Sequence, residues 1–377
     1  MVERKLRAGI VGGGRGAFIG SVHRMAAQLD SEVEIVAGAL SGDPAKAEAS
    51  AKDWRLARWY SSFEQMAKVE KKLEEGIDFV IVATPNHLHY PVVRAFAEQS
   101  IHIVSDKPMS FSLQEAEATV KLIEKNRIVF ALTHNYTGYP LVREARALIR
   151  SGKIGRVNKV IVEYLQDWLL QDLEKRGHKQ ALWRTDPKKA GISCCVGDIG
   201  THGENLLEYM TGLKIQSLCA DLTTFIKGRK LEDDANVLLR LENGAKGTLT
   251  CSQIAAGEEN ALSIRVYGTH GGLEWHQQDP NQLLFKRTNA PIQIFRPGKP
   301  YLSPEAKEAS RIPAGHPEAF IEAFANVYRG AVADVRAVME RKPLKRNYPS
   351  VEDGLRGMRF IQRCVESHRR DATWIKF

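Results

Sequence analysis

Cysteine is scarce in this sequence and shows no pattern of its own. The chain has five cysteines in 377 residues, an odd number, and none has the CxxC spacing that is typical of metal sites. This excludes a disulfide framework and favours a reducing compartment. The histidines show no HExxH spacing either, so we expect no metal ion.

Long apolar segments are also missing. No uninterrupted apolar run approaches the roughly 18 residues of a membrane span. The opening residues, MVERKLRAGIVGGG, change from charge to glycine after a few apolar residues, which is unlike a secretory signal. We therefore expect a cytoplasmic protein that has no membrane partner.

Acidic residues are fewer than basic ones, at 45 Asp and Glu against 54 Lys and Arg. The resulting charge of +9 could indicate nucleic acid or an anionic ligand. The basic residues, however, are spread in short mixed clusters such as EKRGHK at 174–179, without any nucleic-acid-binding motif. Solvated surface charge explains the excess, and we expect no nucleic-acid partner.

The length predicts two domains, since a single domain usually has about 100–200 residues. In the first part of the chain, apolar strands alternate with amphipathic helices, which predicts a parallel sheet covered on both faces. From about residue 155, long alternating strands and an Asn-Gly turn in ENGAKG (242–247) predict hairpins instead. The predicted strands of the first part are residues 6–11, 33–40, 57–60, 77–85, 101–108 and 127–135.

The predicted fold class is α/β. We expect an N-terminal Rossmann dinucleotide-binding domain at residues 1–135. We expect a C-terminal α+β domain at 136–377, with a large, mostly antiparallel sheet, for substrate binding and oligomer contacts. Helices of this second domain are predicted near 199–211, 317–330 and 351–368.

A glycine-rich turn, GGGRGA, follows the first predicted strand. Gly12, Gly14 and Ala17 fit the GxGxxG/A pattern, in which two glycines allow the turn and the approach of a pyrophosphate. The small third residue would let the helix pack on the strand, and the helix N-terminus would face the negative charge. The order of strand, turn and helix predicts dinucleotide binding over an ordinary glycine-rich turn.

The end of the second strand decides which dinucleotide binds, because a carboxylate there bonds the ribose hydroxyls and repels a 2′-phosphate. The sequence has Ser41 at this position, followed by Lys46, and Arg15 could add positive charge. The alternative is a helix capped by Asp43, with Lys46 merely exposed; both can hold together. We predict NADP as the preferred cofactor and NAD as the alternative.

Polar residues follow the fourth and fifth strands, at the carboxyl edge where ligands bind in such sheets. ATPNHLHY (83–90) leaves the fourth strand, and SDKP (105–108) leaves the fifth. The lysine is a plausible catalytic group beside a cofactor or an ordinary solvated side chain, and Thr84 and Asn86 could be turn and cap residues. Further on, GDIGTH (197–202) places Asp198 and His202 four residues apart, either as a catalytic pair or as a capped helix start.

These motifs together resemble the Gfo/Idh/MocA family of glucose-fructose oxidoreductase, inositol dehydrogenase and relatives. The resemblance is carried by GGGRGA, ATPNHLHY, DKP and DIGTH, in that order, and extends from about residue 5 to the end. It implies a nicotinamide-dependent dehydrogenase or reductase that acts on a hydroxyl or ketone of a sugar, cyclitol or similar polyol. By analogy with the family, it also implies a homo-oligomer, a dimer or a tetramer.

The resemblance assigns the site residues by motif position. Lys107 matches the family's EKP lysine, with Asp106 in place of the usual Glu, and Asp198 and His202 match its DxxxH pair. Oxidising an alcohol requires a base and a cationic stabiliser, roles that His202 and Lys107 suit. The resemblance places Thr84, Pro85, Asn86 and His89 in the family's cofactor-contacting segment. We also count Asp106 and Lys107, from the DKP motif, among the cofactor-binding residues.

Other residues are candidates for binding the substrate. Tyr136 follows the sixth strand, and YLQDW (164–168) offers Gln166 and Trp168 as polyol partners. Arg184 could serve an acidic or phosphorylated substrate, and for these last three residues ordinary packing is an equal alternative. Cys194 and Cys195 stand where relatives have small residues and could line the pocket or fill it.

Two further functions stay open. Some members of the family are glycosidases that hold NAD tightly for a transient oxidation, and these form no net reduced cofactor. A non-catalytic dinucleotide-binding protein is a third reading. The presence of Lys107, Asp198 and His202 disfavours that third reading.

Overall fold

The computed structural model describes residues 4–377, which form two compact units. The first unit contains the described residues through His134 together with Phe324–Arg356. The second contains Asn135–Ala323 and Gly357–Phe377. The predicted domain division at residue 135 stays a prediction; within the structure, Phe324–Arg356 clusters with the first unit.

The first unit is built on a six-stranded sheet. Its strands are β1 (Leu6–Gly12), β2 (Val33–Ala39), β3 (Arg58–Trp59), β4 (Phe79–Ala83), β5 (His102–Ser105) and β6 (Phe130–Leu132). All neighbouring pairs are parallel, in the order β3-β2-β1-β4-β5-β6. Every residue of β4 is buried, as expected of a strand that is covered on both faces. This doubly wound order confirms the predicted Rossmann sheet.

Helices alternate with these strands, and their ends follow local capping rules. Asp43 caps its helix by accepting a hydrogen bond from Lys46 N at 2.9 Å, with Pro44 as the first helical residue. Ser62 caps the helix that begins at Phe63, and Ser112 caps the helix that begins at Leu113, each by accepting a hydrogen bond from a backbone N–H group. The helices between these strands are α1 (Ile19–Gln28), α2 (Pro44–Trp54), α3 (Phe63–Glu70), α4 (His89–Ala97) and α5 (Leu113–Asn126).

The second unit is built on a nine-stranded sheet. Its strands are β7 (Val157–Leu165), β8 (Ile215–Thr223), β9 (Asp234–Leu241), β10 (Lys246–Ser252), β11 (Ala261–Gly268), β12 (Gly272–His276), β13 (Leu283–Arg287), β14 (Ala290–Phe295) and β15 (Ile375–Lys376). They lie in the order β14-β13-β12-β11-β7-β10-β9-β8-β15. Only β7 and β10 pair in parallel among these neighbours, which confirms a mostly antiparallel sheet.

Two local predictions for the second unit concern the Asn-Gly hairpin and the helix near 199–211. The Asn-Gly turn joins β9 to β10, with Asn243 at φ 63° and Gly244 at φ 84°, which confirms the hairpin. The predicted helix near 199–211 is present, but a turn of π-helix, Val196–Gly200, precedes it. The remaining helices of the chain are α6 (Pro140–Arg150), α7 (Lys179–Arg184), α8 (Pro187–Ala190), α9 (Thr201–Thr211), α10 (Pro304–Glu308), α11 (Phe320–Met339) and α12 (Val351–Arg369).

Candidate active site

The sheet register of the first unit brings its motifs to one edge. Gly12 pairs with Ala83 on β4, while Val82 pairs with Ser105 on β5. The strands run parallel, so the residues that follow each of them leave the sheet at the same carboxyl edge. The glycine-rich turn, Thr84 and Asp106 therefore lie in neighbouring loops.

The glycine-rich turn leaves no room for side chains. A Cβ on Gly12, which has φ +82°, would lie 2.4 Å from Ala83 O, and a Cβ on Gly14 would lie 2.5 Å from Leu40 O. The close approach to α1 is made by Gly20, because a Cβ on Gly13 would meet its Cα at 2.7 Å. Ala17 lies before α1 begins and is half-buried, so the packing role expected of Ala17 falls to Gly20.

The start of α1 and the β4 loop have the features of a dinucleotide site. No side chain caps the N-terminus of α1, whose backbone N–H groups suit a phosphate. The Thr84 hydroxyl oxygen is buried and has no hydrogen-bond partner among residues 4–377. Pro85 and the buried Asn86 continue the same loop into a short 3₁₀ turn. The residues present therefore fit a dinucleotide cofactor, which the glycine turn, α1 and Thr84 would hold.

His89 ties two of these loops together. One ring nitrogen lies 2.6 Å from Pro108 O and the other lies 2.8 Å from Thr84 O. Burial lowers the pKa of His89, whereas Asp106 and the two carbonyls act to raise it. Both ring nitrogens face carbonyls of the protein, so His89 links the loop at Thr84 to the Lys107–Pro108 segment.

Asp106 is held inside the first unit. Its Oδ1 accepts a hydrogen bond from the Thr133 hydroxyl at 3.0 Å and lies 3.9 Å from His23 Nε2. The other ring nitrogen of His23 is 2.6 Å from the Tyr328 hydroxyl. Burial lowers the pKa of His23 to about 4, although Asp106 acts to raise it. Asp106, which replaces the longer glutamate of the family motif, thus has two buried neighbours, Thr133 and His23. The next residue, Lys107, is half-buried.

The residues that would select the cofactor lie after β2. Ser41 Oγ accepts a hydrogen bond from Asp43 N at 3.1 Å. The half-buried Lys46 forms no ion pair within residues 4–377. Arg15 instead binds both carboxylate oxygens of Asp53, at 2.6 and 2.8 Å, on the surface. Lys46 therefore has the more available charge of the two cations.

In the second unit, the parallel pair of strands places two glutamines side by side. Leu165 at the end of β7 pairs with Ser252 at the end of β10, so Gln166 and Gln253 follow neighbouring positions. Backbone hydrogen bonds continue beyond the strands, from Gln166 N to Ser252 O at 2.8 Å. Both side chains thus start from a fixed backbone.

Tyr136, Tyr164, Gln166 and Asn260 form a hydrogen-bonded cluster, which we call the tyrosine network. The two tyrosine hydroxyls are 2.5 Å apart, and that of Tyr164 donates to Asn260 Oδ1 at 2.8 Å. Gln166 Nε2 donates to the same oxygen at 2.7 Å, while its own Oε1 is buried and has no hydrogen-bond partner in the described part of the chain. The network therefore holds one buried acceptor ready for a hydroxyl group.

His202 lies against this network. Its ring meets that of Tyr136 edge-on, with centroids 4.8 Å apart, and that of Tyr164 at 6.2 Å. Only 7% of His202 is exposed. Burial raises the pKa of Tyr136, and the nearby Asp198 carboxylate adds to this shift. Tyr136, Gln166, Asp198 and His202 thus belong to one cluster of the second unit.

Asp198 is held by two residues from distant segments. Its Oδ2 accepts hydrogen bonds from Gln253 Nε2 at 2.9 Å and from Arg184 Nε at 3.2 Å. Arg184 ends α7 and stacks on Trp183 at 4.2 Å and on Trp168 at 5.8 Å from the ring centroids. The half-buried Trp168 is therefore a support for Arg184, and Arg184 is paired with an acid of the chain itself.

Asp198 does not cap the helix, because neither the π turn nor α9 has a side-chain cap. The buried Glu232 instead accepts hydrogen bonds from the backbone N–H groups of Cys194 and Val196, at 3.1 and 3.0 Å, and from the Ser193 hydroxyl at 2.5 Å. Burial raises the pKa of Glu232, against the effect of these donors. The capping role belongs to a residue 36 positions from Val196.

Gln253, Glu232, Tyr164 and Asn260 were not predicted from the sequence. Gln253 is the third residue of CSQI (251–254), near the end of a predicted strand, and that position was the only signal for it. Cys194 and Cys195 are both buried, and burial raises their pKa well above the ordinary thiol value. Cys194 donates to Gln253 Oε1 at 3.4 Å, so it supports the site rather than merely filling space.

The described residues show neither a cluster of metal ligands nor a membrane-spanning helix. Among residues 4–377, no group of three or more His, Cys, Asp or Glu side chains is placed to hold a metal ion. Within the same residues, no helix combines the length and apolar character that crossing a bilayer requires.

Two family descriptions match the chain. Residues 6–145 match the oxidoreductase family with an NAD-binding Rossmann fold, and residues 142–274 match the GFO/IDH/MocA C-terminal domain. The two matches adjoin and together extend over most of both units.

Individual relatives match most or nearly all of the chain. An oxidoreductase from Sinorhizobium meliloti is 44% identical with a TM-score of 0.89, covering 99% of this chain and 100% of that chain. An inositol dehydrogenase homologue from Azotobacter vinelandii, solved with NAD+, is 34% identical with a TM-score of 0.95, covering 99% and 98%. A second structure of that homologue, with NADH and myo-inositol, is 33% identical with a TM-score of 0.92 and the same coverage. Levoglucosan dehydrogenase from Pseudarthrobacter phenanthrenivorans is 28% identical over 79% of this chain and 82% of that protein.

Proposed function

Because the chain belongs to the GFO/IDH/MocA family of NAD(P)-dependent oxidoreductases, we propose that it transfers hydride between nicotinamide and a neutral sugar, cyclitol or related polyol. The reacting group is a hydroxyl in one direction and a ketone in the other. The names of the relatives, an inositol dehydrogenase homologue and levoglucosan dehydrogenase, support this substrate class.

The observation that carries the proposal is the tyrosine network beside His202. A polyol presents several hydroxyl groups, each of which donates one hydrogen bond and accepts others. The buried Oε1 of Gln166 receives no hydrogen bond from the residues that the structure describes, and a substrate hydroxyl would supply one. Tyr136 presents an aromatic ring edge to His202 in the same cluster. Such a mixture of aromatic faces and fixed polar atoms suits a sugar or cyclitol.

The charge of the site favours a neutral substrate. Arg184 was a candidate for binding an acidic or phosphorylated group, but its Nε lies 3.2 Å from Asp198 Oδ2 and its Nη1 lies 2.6 Å from Gln180 Oε1. A phosphate would have to compete with the Asp198 carboxylate for this guanidinium. Arg184 therefore serves the substrate by holding Asp198.

We assign the proton chemistry to Lys107 and His202. The bound nicotinamide would supply the hydride acceptor or donor. His202 takes the proton of the substrate hydroxyl in oxidation and returns it in reduction, since a buried imidazole is suited to general base and acid work. The Lys107 ammonium stabilises the negative charge that develops on the substrate. Asp198 orients a neighbouring hydroxyl as a fixed acceptor.

For the cofactor, we propose NADP, with NAD as the alternative. Ser41 lacks the carboxylate that would repel a 2′-phosphate, and Lys46, at the start of α2, forms no ion pair within the described residues. Arg15 would first have to leave Asp53. The alternative has its own support, because the structures of the inositol dehydrogenase homologue hold NAD+ or NADH.

A homo-oligomer, dimer or tetramer, also stays a proposal. It is supported by apolar side chains on the large sheet of the second unit that remain exposed in the single chain. Leu238 on β9 is 51% exposed, and Ile292 and Ile294 on the edge strand β14 are 58% and 48% exposed.

The test is a panel of sugars, cyclitols and their keto forms, screened with NADP+ and NAD+ or with the reduced cofactors. We expect a change in nicotinamide absorbance with at least one neutral polyol. A glycosidase with transient oxidation would cleave glycosides without net reduced cofactor. That result, or activity only on phosphorylated or acidic substrates, would contradict the proposal.

Variants of the assigned residues complete the test. Lys107→Ala and His202→Ala should each abolish turnover, whereas cofactor fluorescence should still report binding. Lys125→Ala and His276→Ala remove exposed side chains of the same types and should retain wild-type turnover. Near-normal turnover of either active-site variant would refute the role given to that residue.

A further inference from the structure

The Asp198 carboxylate is fixed by contacts that its own helix does not provide. Gln253 Nε2 lies 2.9 Å and Arg184 Nε 3.2 Å from the same oxygen, Oδ2. Gln253 is fully buried, and the side chains of Arg184 and Asp198 are 21% and 15% exposed. Two donors from two other segments therefore converge on one carboxylate oxygen.

The orientation of the Gln253 amide is determined at both ends. Its Oε1 accepts a hydrogen bond from Cys194 Sγ at 3.4 Å, and its Nε2 donates to Asp198. A flipped amide would place its N–H groups against the thiol and its oxygen against a carboxylate, losing both bonds. The backbone is fixed as well, since Gln253 N donates to Asp233 O at 2.9 Å and Gln253 O accepts from Leu169 N at 3.0 Å.

We propose that Gln253 is a positioning residue that holds Asp198 as an ionised, oriented acceptor, with Arg184 balancing its charge. This rests on the proposed function, in which Asp198 orients a substrate hydroxyl. A carboxylate that receives two donors at one oxygen is stabilised in its ionised form. Asp198 therefore accepts hydrogen bonds, and proton transfer is left to His202 and Lys107.

Other titratable groups also face Asp198, and they contribute to how the activity and stability of the Gln253 variants depend on pH. The carboxylate raises the pKa of Tyr136, of Tyr164 and of the Cys194 thiol, each of which is raised mainly by burial. His202 follows on the same helical segment, one turn on. The groups to be considered together are thus Arg184 on α7, Cys194 before the π turn, Tyr136 after β6, Tyr164 on β7 and His202 on α9.

The test compares Gln253→Glu with Gln253→Met. In Gln253→Glu, two buried carboxyl groups share the contact, so the pair keeps one proton to a higher pH than an ordinary glutamate. The singly protonated pair retains a donor to Asp198, and the fully ionised pair does not. The ratio of kcat/KM for Gln253→Glu to wild type should therefore fall by about tenfold or more between pH 5 and 8. Gln253→Met has a similar volume without donors, and its ratio should be reduced about tenfold at every pH.

A second measurement needs no substrate. The raised carboxyl pKa of the pair means that the stability of Gln253→Glu is retained at low pH and lost as pH rises through the pair's pKa. Urea unfolding should show this loss relative to wild type between pH 5 and 8. Gln216→Glu makes the same change of charge at an exposed position on β8 and should show neither effect. Binding of reduced cofactor should remain within about twofold of wild type in all three variants, since their contacts lie in the second unit.

The outcomes separate the inference from the proposed function. A stability difference for Gln253→Glu that does not change with pH would overturn the positioning role of Gln253, whatever the activity. If Gln253→Glu and Gln253→Met both had a kcat/KM near that of wild type at every pH while Asp198→Asn was inactive, the positioning role of Gln253 would also be overturned. The proposed function would then remain in place. If wild type turned over no polyol, the proposed function would fail, and the unfolding experiment would still decide the contact between Gln253 and Asp198.

Discussion

The Thr84 hydroxyl offers a prediction in which stability and cofactor binding change in opposite directions. Its Oγ1 is buried and has neither a donor nor an acceptor within the described range, residues 4–377. Thr84→Val replaces the hydroxyl by a methyl group of nearly the same shape and keeps the branched side chain. We expect the variant to be more stable without cofactor and to bind cofactor less well.

The magnitudes follow from the two states of the hydroxyl. A buried polar group without a partner costs about 1–3 kcal/mol, so Thr84→Val should raise the free energy of unfolding by about 1 kcal/mol. A cofactor that bonds this hydroxyl would lose one neutral hydrogen bond, worth about 0.5–1.5 kcal/mol. Its Kd should then rise by about 2- to 13-fold.

Thr119→Val is the matched control. Thr119 lies on α5 of the same unit, is fully buried and donates its hydroxyl to Glu115 O at 2.8 Å. Unlike the Thr84 hydroxyl, the Thr119 hydroxyl forms a hydrogen bond, which Thr119→Val removes. The substitution should therefore lower the free energy of unfolding by about 1 kcal/mol. Because Thr119 lies within α5 rather than in the strand-end loops, cofactor Kd should not change.

Two assays test this. Urea unfolding of the cofactor-free protein gives the free energy of unfolding from the transition that occurs at the lowest urea concentration. Fluorescence titration with NADPH and NADH gives the cofactor Kd. The reasoning would be refuted if Thr84→Val lost stability as Thr119→Val does. It would also be refuted if Thr84→Val bound both reduced cofactors as tightly as wild type.

Two further predictions concern the cofactor and pH. Ser41→Asp should move the preference toward NAD by about tenfold or more, because a carboxylate bonds the ribose hydroxyls and repels a 2′-phosphate; unchanged NADPH affinity in a fluorescence titration would show that the phosphate binds elsewhere. His102, whose pKa burial lowers to about 4, is neutral in the folded chain, so the unfolded chain takes up its proton first as pH falls below about 6.5. The free energy of unfolding should thus fall between pH 6.5 and 4 by up to about 1.4 kcal/mol per unit from this residue. His102→Asn should flatten that slope in urea unfolding, and an identical slope would contradict the assignment.

Part of the fold was predictable because the relevant forces act over a few residues. GGGRGA could be assigned to a tight turn because glycines adopt the φ +82° and +75° found at Gly12 and Gly13. The Asn-Gly hairpin and the Asp43 cap were also local, and both formed as predicted. The π turn before α9 was not predicted, because the buried carboxylate that caps this segment, Glu232, lies far along the chain.

The sequence named several residues of the candidate site, but it did not predict the contacts that these residues make. Asp198 and His202 were found through their spacing, yet the structure shows Asp198 bound to Arg184 and Gln253 and not capping the helix. Arg184 was given a possible role toward an anionic substrate, since nothing local indicated its carboxylate partner. Trp168 was a candidate polyol partner, and the structure places its ring against Arg184.

The sequence by itself determined the alternation of strands and helices and the glycine turn, whereas the candidate catalytic residues were assigned from the resemblance of its motifs to a family. These depend on periodicity, backbone freedom and motif spacing, which are properties of neighbouring residues. Only the tertiary structure decided what holds Asp198, because Gln253, which follows β10, is 55 residues away along the chain. Pairing between distant strands depends on the packing of the whole sheet, and no window of neighbouring residues contains that information.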